Sequence, residues 1–133
     1  MGLFNKKKKN QESIQKTKTS VDWPDHIITL DEKTFKDFIN KYPLSIVDFW
    51  APWCAPCKAM APRLRRLSNL YKGKIAFGKI NIQKHKKVSE KYKIIGIPQL
   101  IFFSYGQKIY GINGLKSVGN IKDSIEEIIK KYT

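Results

Sequence analysis

The stretch LSIVDFWAPWCAPCK, residues 44–58, decides the fold. Its first half, Leu44 to Trp50, is a nearly continuous apolar run, the pattern of a strand buried on both faces of a sheet. Its second half opens a helix that runs from near Cys54 to about Tyr71 and bends at Pro62, because proline donates no hydrogen bond to the preceding turn. Cys54 therefore falls where a strand ends and a helix begins. Unpaired N–H groups and the positive end of the helix dipole favour an anion there, which lowers a thiol's pKa and raises its thiolate fraction near neutrality. Cys54 is accordingly the candidate nucleophile. Cys57, three positions on, lies one turn inward, close enough to close a disulfide with Cys54 and less exposed, as a resolving thiol must be. Pro56 between them lacks an N–H, costs little in a first turn and stiffens the loop. Asp48 is the one charge in the apolar run. Desolvation there raises a carboxyl's pKa, which makes it able to accept and return a proton near neutral pH.

Strands and helices alternate on either side of this stretch. His26 to Leu30 reads as a short strand, and Phe35, Phe38 and Ile39 recur at helical spacing. Lys74 to Asn81 is the next strand, followed by a short basic helix from His85 to Tyr92. Leu100 to Phe103 and Lys108 to Ile112 flank the turn signal Ser104-Tyr105-Gly106-Gln107 and predict an antiparallel hairpin. Ile121, Ile125, Ile128 and Ile129 mark the apolar face of a closing helix, with Lys130 and Lys131 in its last turn, where positive charge complements the dipole. The order β-α-β-α-β-α-β-β-α predicts an α/β fold with a central mixed sheet of about five strands flanked by about four helices. Ligands then bind near the carboxyl ends of the parallel strands.

The chain has 133 residues, 41% of them hydrophobic, enough for one globular domain with some tail to spare. Residues 1–21 carry six Lys against one Glu and few apolar groups, too few to offset the entropy of ordering, and read as a disordered basic tail before a domain spanning 22–133. The formal net charge is +15; the tail accounts for +5 of it, which leaves +10 on the domain. Such a field attracts nucleic acid, anionic membrane or acidic protein surfaces. The domain's Lys and Arg are scattered and lack the interleaved stacking aromatics of single-strand binders, which argues against nucleic acid and against a purely binding role. No stretch approaches a membrane span, and Lys6 to Lys9 have no apolar segment behind them, so a cleavable export signal is not expected and the cytoplasm is. Gly2-Leu3-Phe4 beside those four lysines permits weak, reversible contact with an anionic membrane surface, whereas Lys6 stands where N-myristoylation wants Ser or Thr.

Two cysteines three positions apart form either a redox pair or half of a metal site. Structural zinc takes four ligands, and the chain has no second pair; His26 and His85, in a short strand and a Lys-rich helix start, read as surface or packing residues. No metal is expected.

WAPWCAPCK preceded by IVDF resembles the active-site strand and motif of the thioredoxin family. The resemblance spans about residues 26–132 and continues through Ala61-Pro62, Lys79-Ile80-Asn81, Ile97-Pro98 and Gly114. It implies a thioredoxin-like fold and a monomer that reduces protein disulfides without a cofactor other than its own Cys54–Cys57 disulfide. It further implies that Cys54 attacks, that Cys57 resolves, and that Asp48 with Lys79 manages the proton of Cys57. Pro98 is then a cis-proline opposite the thiols, with Ile97 offering backbone groups to an extended substrate segment bounded by Trp53, Ala55, Pro56 and Gly114. A thioredoxin reductase is the implied electron donor. A disulfide oxidase or isomerase on the same fold is the alternative, but its relatives often carry His where Pro56 stands. Ala55 replaces the family's usual glycine and stiffens the loop, and Gln83, Gln99 and Leu115 also depart from the common pattern, which bears on partner choice. Arg63, Arg65 and Arg66 with Lys58 form either a surface for an acidic partner or a solvated helix face.

Overall fold

The structure, a computed structural model, describes residues 21–132. The basic tail, apart from Val21, lies outside the described residues. Five strands and four helices follow the expected order: β1 (Ile28–Leu30), α1 (Phe35–Lys41), β2 (Ser45–Trp50), α2 (Ala55–Leu70), β3 (Ala76–Asn81), α3 (Lys86–Lys91), β4 (Gln99–Ser104), β5 (Gln107–Asn113) and α4 (Val118–Tyr132). They form one sheet in the order β1-β3-β2-β4-β5. β2 runs parallel to β3, with Asp48 opposite Lys79, and antiparallel to β4, with Asp48 opposite Leu100.

β2 is central, so both its faces are covered, which is why its sequence is apolar without alternation. Val47 and Phe49 join Phe35, Phe38 and Ile39 of α1 and Val88 of α3 in one core. Ile46 joins Met60, Leu64 and Leu67 of α2 and Ile121, Ile125 and Ile128 of α4 in the other. Val21 and Trp23 pack on the first core, Trp23 stacking on Tyr42 with ring centroids 5.4 Å apart. Tyr71, at the end of α2, donates to Glu126 of α4 at 2.5 Å.

Several boundaries differ from the sequence reading. β1 begins at Ile28 because the backbone bends at Asp25 and His26, whose side chains pair at 2.9 Å. β3 begins at Ala76 because Lys74 and Ile75 both donate to the Tyr71 carbonyl and close the turn after α2. The β4–β5 hairpin turns at Tyr105 and Gly106, both at positive φ (45° and 87°), the backbone of a tight two-residue connection. A Cβ at Gly106 would run into the Asn40 side chain, so both the turn and the space require glycine.

Candidate active site

The carboxyl ends of β2 and β3 and the start of β4 come together at one end of the sheet. β2 ends at Trp50, and Cys54 is the N-cap of α2, with Pro56 at the second helical position. The Cys54 Sγ accepts the Cys57 N–H at 3.2 Å. The Sγ acceptor satisfies one of the helix's orphan N–H groups, and that N–H faces the charge that develops on Sγ when the disulfide is reduced. Cys54 and Cys57 are joined as a disulfide, their Cα atoms 5.2 Å apart.

The expected contrast in exposure between the two cysteines is absent: Cys54 is 4% exposed and Cys57 3%. Closing the disulfide turns each sulfur against the other, and Ala51, Trp50, Ile82 and Ile97 enclose the pair. Trp53, directly before Cys54, is exposed, whereas the disulfide itself is buried, so neither sulfur protrudes. Ala55 and Pro56 are exposed beside it. The Ile97–Pro98 bond is cis, and the Pro98 carbonyl accepts the Gly114 N–H at 2.8 Å, with Gly114 at φ 83°. Cys54, Cys57, Trp53, Ala55, Pro56, Ile97, Pro98 and Gly114 thus lie on segments that meet at the disulfide.

Asp48 and Lys79 stand side by side on β2 and β3, on the strand segments that lead to this end of the sheet. Asp48 is 5% exposed, and its Oδ1 has no hydrogen-bond partner. Burial pushes its pKa from 3.8 up to about 7, with the Lys79 charge pulling the other way. The Lys79 ammonium lies 5.9 Å from the centre of the Trp50 ring.

Asp48 is not sealed in. It lines a cleft of about 300 Å³ together with Lys79, the Asp25–His26–Ile27 segment and Ala61, Leu64, Arg65, Ser68 and Asn69 of α2. The sequence reading missed this cleft, since its walls come from segments about forty residues apart. His26, read as a strand residue, stands at its rim paired to Asp25, and His85 is the N-cap of α3. Arg63 does not act as a free charge beside Arg65 and Arg66: it donates to the Lys116 carbonyl at 2.7 Å and ties α2 to the segment after Gly114. Ile95, which no periodicity singled out, is 99% exposed two residues before Ile97. Among the described residues no cluster of three or more His, Cys, Asp or Glu is arranged to hold a metal ion, and no helix is long and apolar enough to cross a membrane.

A disulfide at the N-cap of a helix, enclosed by a cis-proline loop at the carboxyl ends of parallel strands, defines a dithiol–disulfide exchange protein. Comparison with known proteins narrows that class. The thioredoxin family model matches residues 26–127. The chain is 39% identical over 106 residues to a thioredoxin of Buchnera aphidicola, covering 78% of this chain and 97% of that one. It is 36% identical over 101 residues to the chloroplastic M-type thioredoxin of Spinacia oleracea, covering 75% of this chain and 56% of that one, so it spans just over half of that relative's length. A solved thioredoxin structure from Halobacterium salinarum matches with a TM-score of 0.74 at 25% identity, over 79% of this chain and 92% of that one. The chain belongs to the thioredoxin family. It is a thiol–disulfide oxidoreductase that reduces protein disulfides.

Proposed function

We propose that the reduced protein opens a substrate disulfide through Cys54, whose thiolate bonds to one substrate sulfur and expels the other as a thiolate. Cys57, losing its proton to Asp48, then attacks Cys54 and releases the second substrate thiol. Two electrons pass to the substrate, and Cys54–Cys57 is left oxidised. Asp48 suits the proton transfer because its pKa of about 7 lets it gain and lose a proton at neutral pH, and the Lys79 charge keeps that value from rising further. Trp53, Ala55, Pro56, Ile97, Pro98 and Gly114 receive the substrate segment, with Ile97 and its neighbours offering backbone groups to an extended chain. A thioredoxin reductase returns the electrons. The protein acts as a monomer in the cytoplasm, and its basic tail gives weak contact with anionic membrane.

The observation that carries this reading is the Cys57 N–H on the Cys54 sulfur at the start of α2, which supports negative charge on that sulfur and leaves Cys57 to resolve. Insulin reduction driven by dithiothreitol tests it: the wild type accelerates precipitation, and Cys54→Ser does not. Wild type and variant equally inert would overturn the reading. Deleting residues 1–21 should abolish sedimentation with anionic vesicles and leave insulin reduction intact; equal sedimentation would remove the membrane contact.

A further inference from the structure

Four segments lead to the disulfide through one or two residues each: Ala51–Cys57 carries it, Ile82–His85 and Lys93–Pro98 reach it through Ile82 and Ile97, and Gly114–Ser117 adjoins Pro98 through Gly114. Ile82 and Ile97 enclose the cysteines, and the Pro98 carbonyl holds Gly114. Seven large hydrophobic side chains stand out into solvent among the described residues, and three of them, Trp53 (68%), Ile95 (99%) and Leu115 (39%), are on these segments. Single exposed apolar residues are ordinary on a protein surface, but three on the segments that lead to one disulfide concentrate apolar surface there.

The charges on the same segments have one sign. Lys84, Lys93 and Lys116 are exposed, Lys58 follows Cys57, and no Asp or Glu occurs in the four segments. Of the exposed acids, Glu90 is the nearest in sequence, on α3 three residues before Lys93, while Asp123, Glu126 and Glu127 are on α4. Asp31, just after β1, spends its Oδ1 on the Lys33 and Thr34 N–H groups at 2.9 and 2.8 Å.

We propose that this ring is a docking surface for an acidic polypeptide segment that carries apolar residues beside its disulfide. The proposal rests on the exchange chemistry of Cys54–Cys57 and names its preferred substrate. Ile95, two residues before Ile97, and Leu115, next to Gly114, extend the apolar rim where the substrate's own apolar side chains lose water. Lys84, Lys93 and Lys116 draw in carboxylates that flank it, raising the rate of productive encounter more than the rate of chemistry.

Two peptides with the same apolar residues around one disulfide, flanked by three Asp or by three Lys, test the surface, with 2-hydroxyethyl disulfide as an uncharged measure of exchange itself. The wild type should show kcat/KM about tenfold higher for the acidic peptide at low salt, with the ratio falling towards one at 1 M salt, where charges are screened within about 3 Å. Lys84→Glu/Lys93→Glu/Lys116→Glu should reverse the preference. Lys122→Glu/Lys130→Glu/Lys131→Glu, the same charge change on α4, should keep it. Ile95→Gln should lower kcat/KM for the acidic peptide about fivefold, roughly what one buried methylene contributes to an apolar contact. Equal kcat/KM for the two peptides, or a preference lost as fully in the α4 variant as in the ring variant, would overturn the proposal. No reduction of 2-hydroxyethyl disulfide by the wild type would sink the exchange reading itself, and this surface with it.

Discussion

On the side of the sheet covered by α1 and α3, Phe35, Phe49, Tyr92 and Phe103 interlock at centroid distances of 5.4 to 6.2 Å. The unpartnered buried atom on that side is the Ser45 hydroxyl, which is neutral. On the side covered by α2 and α4, the unpartnered atoms are the Trp50 indole N–H and a carboxyl oxygen of Asp48, and beside that carboxyl the packing opens into a cleft. An orphaned hydroxyl costs about 1–3 kcal/mol at any pH. An orphaned carboxyl costs free energy that grows as it ionises, so the second side is the one whose stability answers to pH. The one buried carboxyl among the described residues thus sits on the side that also holds the disulfide helix.

Truncation on the aromatic side should give the largest loss. Phe49→Ala, at a fully buried position between Phe35 and Tyr92, should cost about 3–5 kcal/mol in urea unfolding of the oxidised protein. The loss should be the same at pH 5 and pH 8. A loss that changed with pH would tie this side to the titration of Asp48 and erase the distinction.

Asp48→Asn should act in the opposite direction. The unfolded carboxyl releases its proton near 3.8, whereas the folded one keeps it to about 7. Between those values the folded state binds more protons, so wild-type stability falls as pH rises from about 4 and the cost is complete above about pH 7. At about 1.4 kcal/mol per pH unit, the variant should match the wild type near pH 4 and exceed it by up to about 4 kcal/mol at pH 8. The same variant should slow the second, resolving step of exchange by about a hundredfold at pH 7, the lower end of what a positioned base supplies. A variant no more stable at pH 8 would mean that the carboxyl is better solvated than its 5% exposure implies.

Tyr71→Phe gives the smallest effect. Its hydroxyl joins α2 to Glu126 on α4 at 2.5 Å, and Glu126 is exposed, so the loss should be about 1 kcal/mol in the same unfolding experiment. A loss several times larger would make the α2–α4 contact, rather than the aromatic core, the weaker point of the fold.

Much of this architecture was legible in the sequence because it is local. Hydrophobic runs and helical spacing placed all nine elements, the Tyr105-Gly106 turn announced the hairpin, and Asp48 was conspicuous as a charge inside an apolar strand. The cis bond before Pro98 came from the family resemblance rather than from the residues alone. What escaped depends on contacts between distant segments. The cleft beside Asp48 needs Asp25 and His26 set against Arg65 and Ser68. Arg63 looked like one more surface charge until the Lys116 carbonyl arrived beside it. Ile95 stands in a short apolar stretch with no periodicity to say which side chain turns inward; Ile94 and Ile97 pack against the core and Ile95 is left outside. The exposure of Cys54 was misjudged because a helix N-cap is usually open, and here the disulfide partner and Ile97 cover it.

Trapping with Cys57→Ser most directly tests the claim that Cys54 attacks and Cys57 resolves. With the resolving thiol removed, a disulfide-bearing protein substrate should remain attached, and peptide mass spectrometry should place the bond at Cys54. Rapid release of the substrate from Cys57→Ser, or a substrate attached to Cys57 in the Cys54→Ser protein at a comparable rate, would contradict the account.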